Sequence, residues 1–374
     1  MKFYKFFILS FLTTIILNCN HDKVFEYKYE LELSEDKIFI LDSETVQTTS
    51  IIQLFTQNDT LFFSFANEYD NSVVIYDYFS GDFITKIKFE KEGPNGVGNF
   101  TSYYYHSIDS IFIYHQMYGK ISILNNFAIK HKEFNFNVRS LASSELDPPS
   151  LFPVTRSPMR KVCNFMVYTG VQASQDKKKQ RPTTALYDLN TNEIKFANNL
   201  PELYGNYNWG NLFAYNCACT TFNNNTMVLS FGADHNILVY NIETDENSVF
   251  IAKTKHFSKI RPFHLLDHMD RLAEDNHYMN NLCYRNILYD EYRNLFYRFA
   301  FLPYPKYNKE ERYLRRPFSV IILDSKFNVV GETLLPEFEY LISQTFVSPD
   351  GLHIQILSDD DDLMIFKTFN INKF

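Results

Sequence analysis

Glycine and proline are scarce: the 374-residue chain has 11 of the first and 13 of the second. That excludes a collagen-like repeat and a low-complexity disordered chain, both of which need far more of these residues. Basic residues are not in excess, since 36 Lys and Arg face 44 Asp and Glu, for a formal net charge of −8. Nucleic acid is therefore not expected as a partner, because phosphates are met by clustered Lys and Arg. Beyond residue 18 no apolar run approaches the ~20 residues that cross a bilayer. A Gly-x-Ser-x-Gly elbow, paired zinc cysteines and a dinucleotide fingerprint are all missing, so no cofactor is expected. Acid pairs of glycosidase type would leave no such trace, because their spacing is spatial rather than sequential.

What the chain has in quantity is aromatic. Phe, Tyr and the single Trp make up 17% of it, with 37 Phe and 26 Tyr. Such side chains suit the half-buried, pleated surface of a sheet. The accompanying wealth of Asn, Lys and Ile is a bias common in proteins from AT-rich genomes. Hydrophobic residues at 45% and charged residues at 21% are ordinary for a globular protein.

The N-terminus reads as an address. Lys2 and Lys5 precede an almost unbroken apolar run over residues 6–17, too short to span a bilayer and typical of a secretory signal. The run ends at Ile16-Leu17-Asn18-Cys19. This resembles the lipobox of bacterial lipoproteins, in which the cysteine becomes the lipid-bearing first residue, although Asn18 stands where a small residue is usual. The expected layout is a signal peptide over 1–18, a lipidated tether over 19–24 attached through Cys19, and one domain over 25–374. Several acyl chains, each adding ~0.8 kcal/mol per buried methylene, would hold the protein on a membrane. Cys163, Cys217, Cys219 and Cys283 remain. Cys217 and Cys219 share one face of a strand, a poor geometry for a mutual bond, and buried free thiols are expected.

One pattern recurs along the chain: an apolar run ending in Asp or Asn, a polar turn, then a second alternating run. It appears over 72–77 with 82–89, 120–125 with 129–136, and 184–188 with 193–196. Further instances are 236–241 with 248–252, 318–324 with 329–335, and 352–357 with 363–369. Period-2 alternation on both arms with turn formers between marks each as a β-hairpin. Earlier arms over 61–65, 110–115 and 227–231 extend three of them. Units of three or four short strands, repeating at about 50 residues, are the make-up of propeller blades. Six units are counted, one with a partly helical insertion around 257–300. Residues 25–33 have no hairpin of their own and would lend a strand to the last unit, closing the ring. A β-sandwich or a large open sheet of similar hairpins is the competing arrangement. The repetition along the whole chain favours an all-β propeller.

The stretch Tyr76-Asp77-Tyr78-Phe79-Ser80-Gly81-Asp82-Phe83, followed by Glu92-Gly93-Pro94-Asn95-Gly96-Val97-Gly98, resembles the uncharacterised six-bladed β-propeller lipoproteins of Bacteroidota. The resemblance implies an exported propeller and brings no established activity or catalytic residue. The glycine-rich loop itself reads as a crossing between units with positive φ at Gly93, Gly96 or Gly98, since it lacks the Lys-Ser/Thr of a phosphate cradle.

Several stretches offer chemistry. His264, Asp267 and His268 place two histidines one helical turn apart with an acid between, near His256 and His277. That is a zincin-like pattern with Asp in place of Glu, and a surface helix is the plainer reading. Tyr204, Tyr207 and Trp209, set among Asn206 and Asn208, suit stacking on a carbohydrate or simple loop packing. A basic loop carries Lys306, Lys309, Arg312, Arg315 and Arg316, diluted by Glu310 and Glu311. Asp359 to Asp362 read as a hairpin turn rather than a calcium loop. The expectation is a non-catalytic binding or scaffold module, held by its lipid at the outer membrane and facing the periplasm or the cell surface. Its partner would be a glycan, a peptide or an envelope protein. The alternative is a periplasmic or surface hydrolase or lyase acting on glycan or peptide.

Overall fold

Side-chain alternation about a strand axis organises nearly all of the molecule. The computed structural model describes residues 27–172, 176, 178–214, 217–256, 259–263, 271–304, 315–336 and 339–374. Four sheets follow one another in the chain as antiparallel meanders. The first runs Ile52–Gln57, Thr60–Asn67, Ser72–Asp77, Phe83–Lys88, and the second Ser102–Ser107, Ser110–His115, Lys120–Leu124, Lys130–Asn135. In the third, two short inner pieces, Ser150–Leu151 and Arg160–Val162, both pair with Phe165–Val171, and Pro182–Asp188 and Ile194–Asn199 follow. The fourth runs Cys217–Phe222, Thr226–Phe231, Asn236–Asn241, Glu246–Ile251.

A nine-stranded sheet completes the set and consists of two further meanders. One is Cys283–Asp290, Leu295–Phe301, Phe318–Asp324, Val329–Leu334, and the other Tyr340–Ser348, Gly351–Ile356, Leu363–Lys373 and Tyr29–Leu33. Lys37–Ile40 also lies on Leu363–Lys373. The meanders meet at a single parallel bridge, Tyr29 to Gly331.

The arrangement is a β-propeller. The first strand of each meander is innermost, and neighbouring inner strands pack around a central channel. The hydrophobic clusters fill the gaps between adjacent sheets, one of them running through the first three sheets. Phe39, Phe63, Phe346 and Phe366 join the 340–373 meander to the 52–88 sheet, and Ile287, Phe296, Val228 and Ala218 join the 283–334 meander to the 217–251 sheet. Sheets that radiate from an axis diverge outward, so the gap widens and bulky rings fill it. This accounts for the aromatic content, since each buried ring removes 150–250 Å² from water. Phe39 and Phe63 stack with centroids 4.1 Å apart, and both are wholly buried.

All six predicted hairpins are present, and residues 29–33 close the ring as expected. Five registered pairs, from Tyr29–Lys373 to Leu33–Phe369, join the two ends of the chain. Gly331 makes this closure sterically feasible, because a Cβ there would lie 2.1 Å from the Tyr29 carbonyl oxygen. The Glu92-to-Gly98 loop is the expected crossing. Gly93 and Gly98 have positive φ, whereas Gly96 is instead required by close approach to the Glu92 backbone. Within the insertion Arg271–Met279 is a helix, and Cys283–Asp290 and Leu295–Phe301 are two long strands. Cys217, Cys219 and Cys283 are buried free thiols, and Cys163 is an exposed one.

Polar staples join one sheet to the next. Arg298, fully buried, spends all five of its donors across the boundary with the 217–251 sheet. Its Nε donates to Ser230 Oγ (2.9 Å), Nη1 to the His235 and Ala252 carbonyls (2.8 and 2.9 Å), and Nη2 to those of Asp234 and Asn236 (2.6 and 3.1 Å). Its guanidinium stacks on Tyr284, 3.6 Å from the ring centroid. Between the 340–373 meander and the 52–88 sheet, Tyr78 OH meets Ser348 Oγ (2.6 Å) and Asp350 Oδ2 (2.7 Å). Ser348 Oγ lies 2.7 Å from His353 Nε2, and Thr368 Oγ1 lies 3.0 Å from Nδ1. The Ser348–His353 pair has the spacing of an activated nucleophile, but both residues are wholly buried and beyond the reach of a substrate. Burial, with Lys37 and Arg293 adding to it, pushes the His353 imidazole down to about 3.

Two outcomes follow. Arg298→Lys keeps the charge but not the planar fork, leaves buried carbonyls unpaired, and should cost ~3–5 kcal/mol in urea denaturation. His353 is neutral in the fold and protonates near 6.5 when unfolded, so the unfolded state binds more protons between about 6.5 and about 3. Its contribution is intact above pH 6.5 and lost as pH falls, by up to ~1.4 kcal/mol per unit. His353→Gln should flatten the stability slope between pH 6.5 and 4.5, and an unchanged slope would refute this assignment.

Candidate functional site

The central channel is not a through-pore. The inner edge of the 150–199 sheet is interrupted between Leu151 and Arg160, and the interruption is written in prolines. Pro148, Pro149, Pro153 and Pro158 crowd a short stretch of a proline-poor chain. A proline cannot donate to a ladder, so the strand breaks there. The freed segment makes a tight turn, with Ser157 N donating to the Val154 carbonyl (2.8 Å). Its tip enters the channel. Thr155 N and Oγ1 both donate to the Ser50 carbonyl at 2.9 Å, and Ile52 N donates to Thr155 Oγ1 at 3.0 Å. Cys219 N donates to the Arg156 carbonyl at 2.9 Å. One turn thus reaches both the 52–88 and the 217–251 sheets and plugs the space between them.

The plug leaves a chamber on either side. At the end where the inner strands finish lies a cavity of about 370 Å³, and every meander contributes to its wall: Ile52, Tyr104, Arg160, Thr220, Tyr289 and Phe346. That volume lies in the range of small-ligand pockets. Arg160 projects from the inner strand beside the plug, its guanidinium 5.8 Å from the Tyr104 ring centroid. Enclosure holds it below the ordinary guanidinium range, with Tyr104, Tyr103, Cys219 and Glu291 partly offsetting the shift. Lys161 Nζ lies 3.4 Å from His106 Nε2. Burial, and then the Lys161 charge, lower the His106 imidazole. The chamber is therefore cationic on one wall, in an acidic protein.

On the other side of the plug, a second cavity of about 370 Å³ is lined by Gln116, Phe152, Arg156, Thr169 and Cys217, among others. Burial and the neighbouring Arg285 charge push Arg156 down to about 10. Arg285 Nη1 donates to Tyr278 OH (3.3 Å).

Of the described residues, the predicted ligand contacts Tyr204, Tyr207 and Trp209 do not line the first chamber. Trp209 is 8% exposed and packs with Phe213 and Tyr278, and its Nε1 donates to the Leu203 carbonyl (3.1 Å). Tyr204 OH accepts from Ala233 N (2.8 Å). Only Tyr207, 57% exposed, offers its ring to solvent. Cys19, His264, Asp267, His268, Lys306, Lys309 and Arg312 lie outside the described residues. His277 Nε2 is 2.8 Å from the Arg261 carbonyl, and His256 N donates to Thr254 Oγ1 (3.1 Å). Arg315 pairs with Glu339 at 2.8 Å. Arg316 is buried, donating to the Leu302 and Asn281 carbonyls and lying over Tyr278 and Phe301. Asp359 to Asp362 form the expected turn, with Asp362 N donating to Asp360 Oδ1 (3.0 Å). Sequence reading missed Arg160 and the plug, although the cluster of prolines was a visible signal.

The chain resembles solved structures over most of its length. A member of the DUF4221 family from Bacteroides vulgatus ATCC 8482 is 22% identical, covering 93% of this chain and 100% of that one, with a TM-score of 0.79. A Bacteroides fragilis NCTC 9343 protein designated as exported is 11% identical, covers 92% and 96% of the two chains, and has a TM-score of 0.54. At these identities the likeness speaks to fold alone. No curated protein matches the chain. The model of the domain of unknown function DUF4221 matches residues 28–334, and the chain belongs to that family.

Proposed function

We propose that this protein is an exported, lipid-anchored propeller of six blades that works as a binding module of the cell envelope, seating a small ligand in the chamber at the finishing end of its inner strands. The observation that carries the binding reading is the blind chamber. A wall drawn from every meander and a floor made by the 153–158 turn give a concave, pre-formed seat rather than a conduit. Such sites occur in the mouths of closed β folds. The six-blade count treats the nine-stranded sheet as two blades, joined by one parallel bridge at the seam where the chain ends meet.

Export and anchoring rest on the N-terminal residues and on kinship. Lys2, Lys5, the apolar run over 6–17 and Cys19 have the layout of a lipoprotein signal, and one structural relative is designated as exported. The anchor would place the propeller at the outer membrane, on its periplasmic or outer face. Its partners there would be a glycan, a peptide or an envelope protein.

Two experiments test this. Cells expressing the full chain with labelled palmitate should yield a labelled, membrane-associated protein, and Cys19→Ser should lose label and membrane association together. A labelled Cys19→Ser protein would refute the anchor. Thr220→Trp should fill the chamber while leaving the fold intact. In a thermal-shift screen of envelope glycan fragments and short peptides, any compound that raises the Tm of the wild type should have no effect on this variant. A compound that stabilises both equally binds elsewhere.

A further inference from the structure

We infer that the ligand of this chamber carries an oxyanion, a carboxylate or a phosphate, on a small polar body, and that Arg160 is the residue that receives it. The inference rests on the reading of the chamber as a ligand seat and adds the chemical class.

The case begins with how the buried arginines of this fold are used. Arg298 has five donors and five acceptors. Arg316 is pinned by two carbonyls and covered by two rings. Both are spent on structure. Arg160 is not. Its guanidinium donates no hydrogen bond and forms no ion pair among the described residues, and its only ring contact is the face of Tyr104. It nevertheless sits inside the channel, in the wall of the cavity, deep enough for enclosure to disfavour its charge. A guanidinium holds five donors in a fixed planar fork and keeps its proton even when enclosed. Half-buried in the cavity wall, with its donors meeting no protein acceptor among the described residues, Arg160 can offer that fork to a ligand.

The surroundings suit an anion. Lys161 follows on the same strand and lines the same cavity. Glu291 is the acid nearest in effect to Arg160, but it is exposed and not within ion-pair distance. On the neighbouring 217–251 sheet, Thr220, Thr221 and Asn223 bring hydroxyl and amide groups to the wall. These match a body that bears hydroxyls, while the fork of Arg160 matches two oxygens of a carboxylate or phosphate.

Isothermal titration at constant ionic strength separates the possibilities with three probes on one sugar frame: D-glucuronate, D-glucose 6-phosphate and D-glucose. At least one acid should bind, tenfold or more tightly than glucose, and the better acid names the oxyanion. Arg160→Gln should weaken that acid tenfold or more, Arg160→Lys less, and Lys161→Gln should weaken it while leaving the Arg160 fork in place. The Tm of ligand-free Arg160→Gln should not fall, because nothing in the fold depends on its donors; a falling Tm would assign Arg160 to structure and overturn the proposal. Glucose binding as tightly as both acids would overturn the anionic class and leave the seat standing. No heat from any probe at millimolar concentration would overturn the class and count against the seat as well.

Discussion

A propeller stands or falls with the joint that closes its ring. Here the joint is a strand from one end of the chain, Tyr29–Leu33, laid antiparallel on a strand from the other end, Leu363–Lys373. Without it only the stretch of Leu363–Lys373 that Lys37–Ile40 covers would be paired and the rest would be an open edge, and open edges pair with whatever strand arrives next. The same strand also touches Val329–Leu334 through the bridge at Gly331. One short segment therefore completes one meander and seals it to its neighbour. The partners are more than three hundred residues apart, so the full ring forms only after distant parts of the chain have been brought together, a topology that folds slowly.

With the ring closed, buried polar groups divide by task. Staples such as Arg298, the Tyr78–Ser348–His353 network and Glu332 lie between sheets with their bonding capacity used. Glu332 accepts from Ser319 Oγ (2.5 Å), Thr254 Oγ1 and Lys255 N (2.7 Å), tying the 283–334 meander to the end of the 217–251 sheet. On the inner strands, amides do similar work: Gln53 Nε2 donates to the Tyr105 carbonyl at 2.8 Å, and Asn286 Nδ2 to the Ile342 carbonyl at 2.6 Å. These bonds fix how each sheet sits on the next, which apolar contact alone leaves loose because it has no direction. Arg160 differs from these staples: it is half-buried, its guanidinium meets no acceptor among the described residues, and it lines the chamber to which every meander contributes.

Much of the architecture was legible in the residues because strands announce themselves locally. Alternation over 72–77, or 236–241, is a property of six neighbouring residues, and the Asp or Asn at each end marks the turn. The partly helical insertion was only half legible. Leu295–Phe301 is buried throughout and Cys283–Asp290 mostly so, which leaves little of the polar alternation that identifies a strand. Trp209 shows a related limit of local reading. An aromatic residue in a loop looks available to a ligand, but burial is decided by what else packs there, and one of the residues packed with Trp209 is Tyr278, from the distant helix Arg271–Met279.

The residues by themselves determined the strand pattern, the repeat and the closing segment, because each depends on a short window of chain. Only the tertiary structure decided which side chains share the chamber, that a turn rich in proline plugs the channel, and that Arg160 is left with donors to spare. Those facts depend on groups brought together from every meander, and no local window contains them.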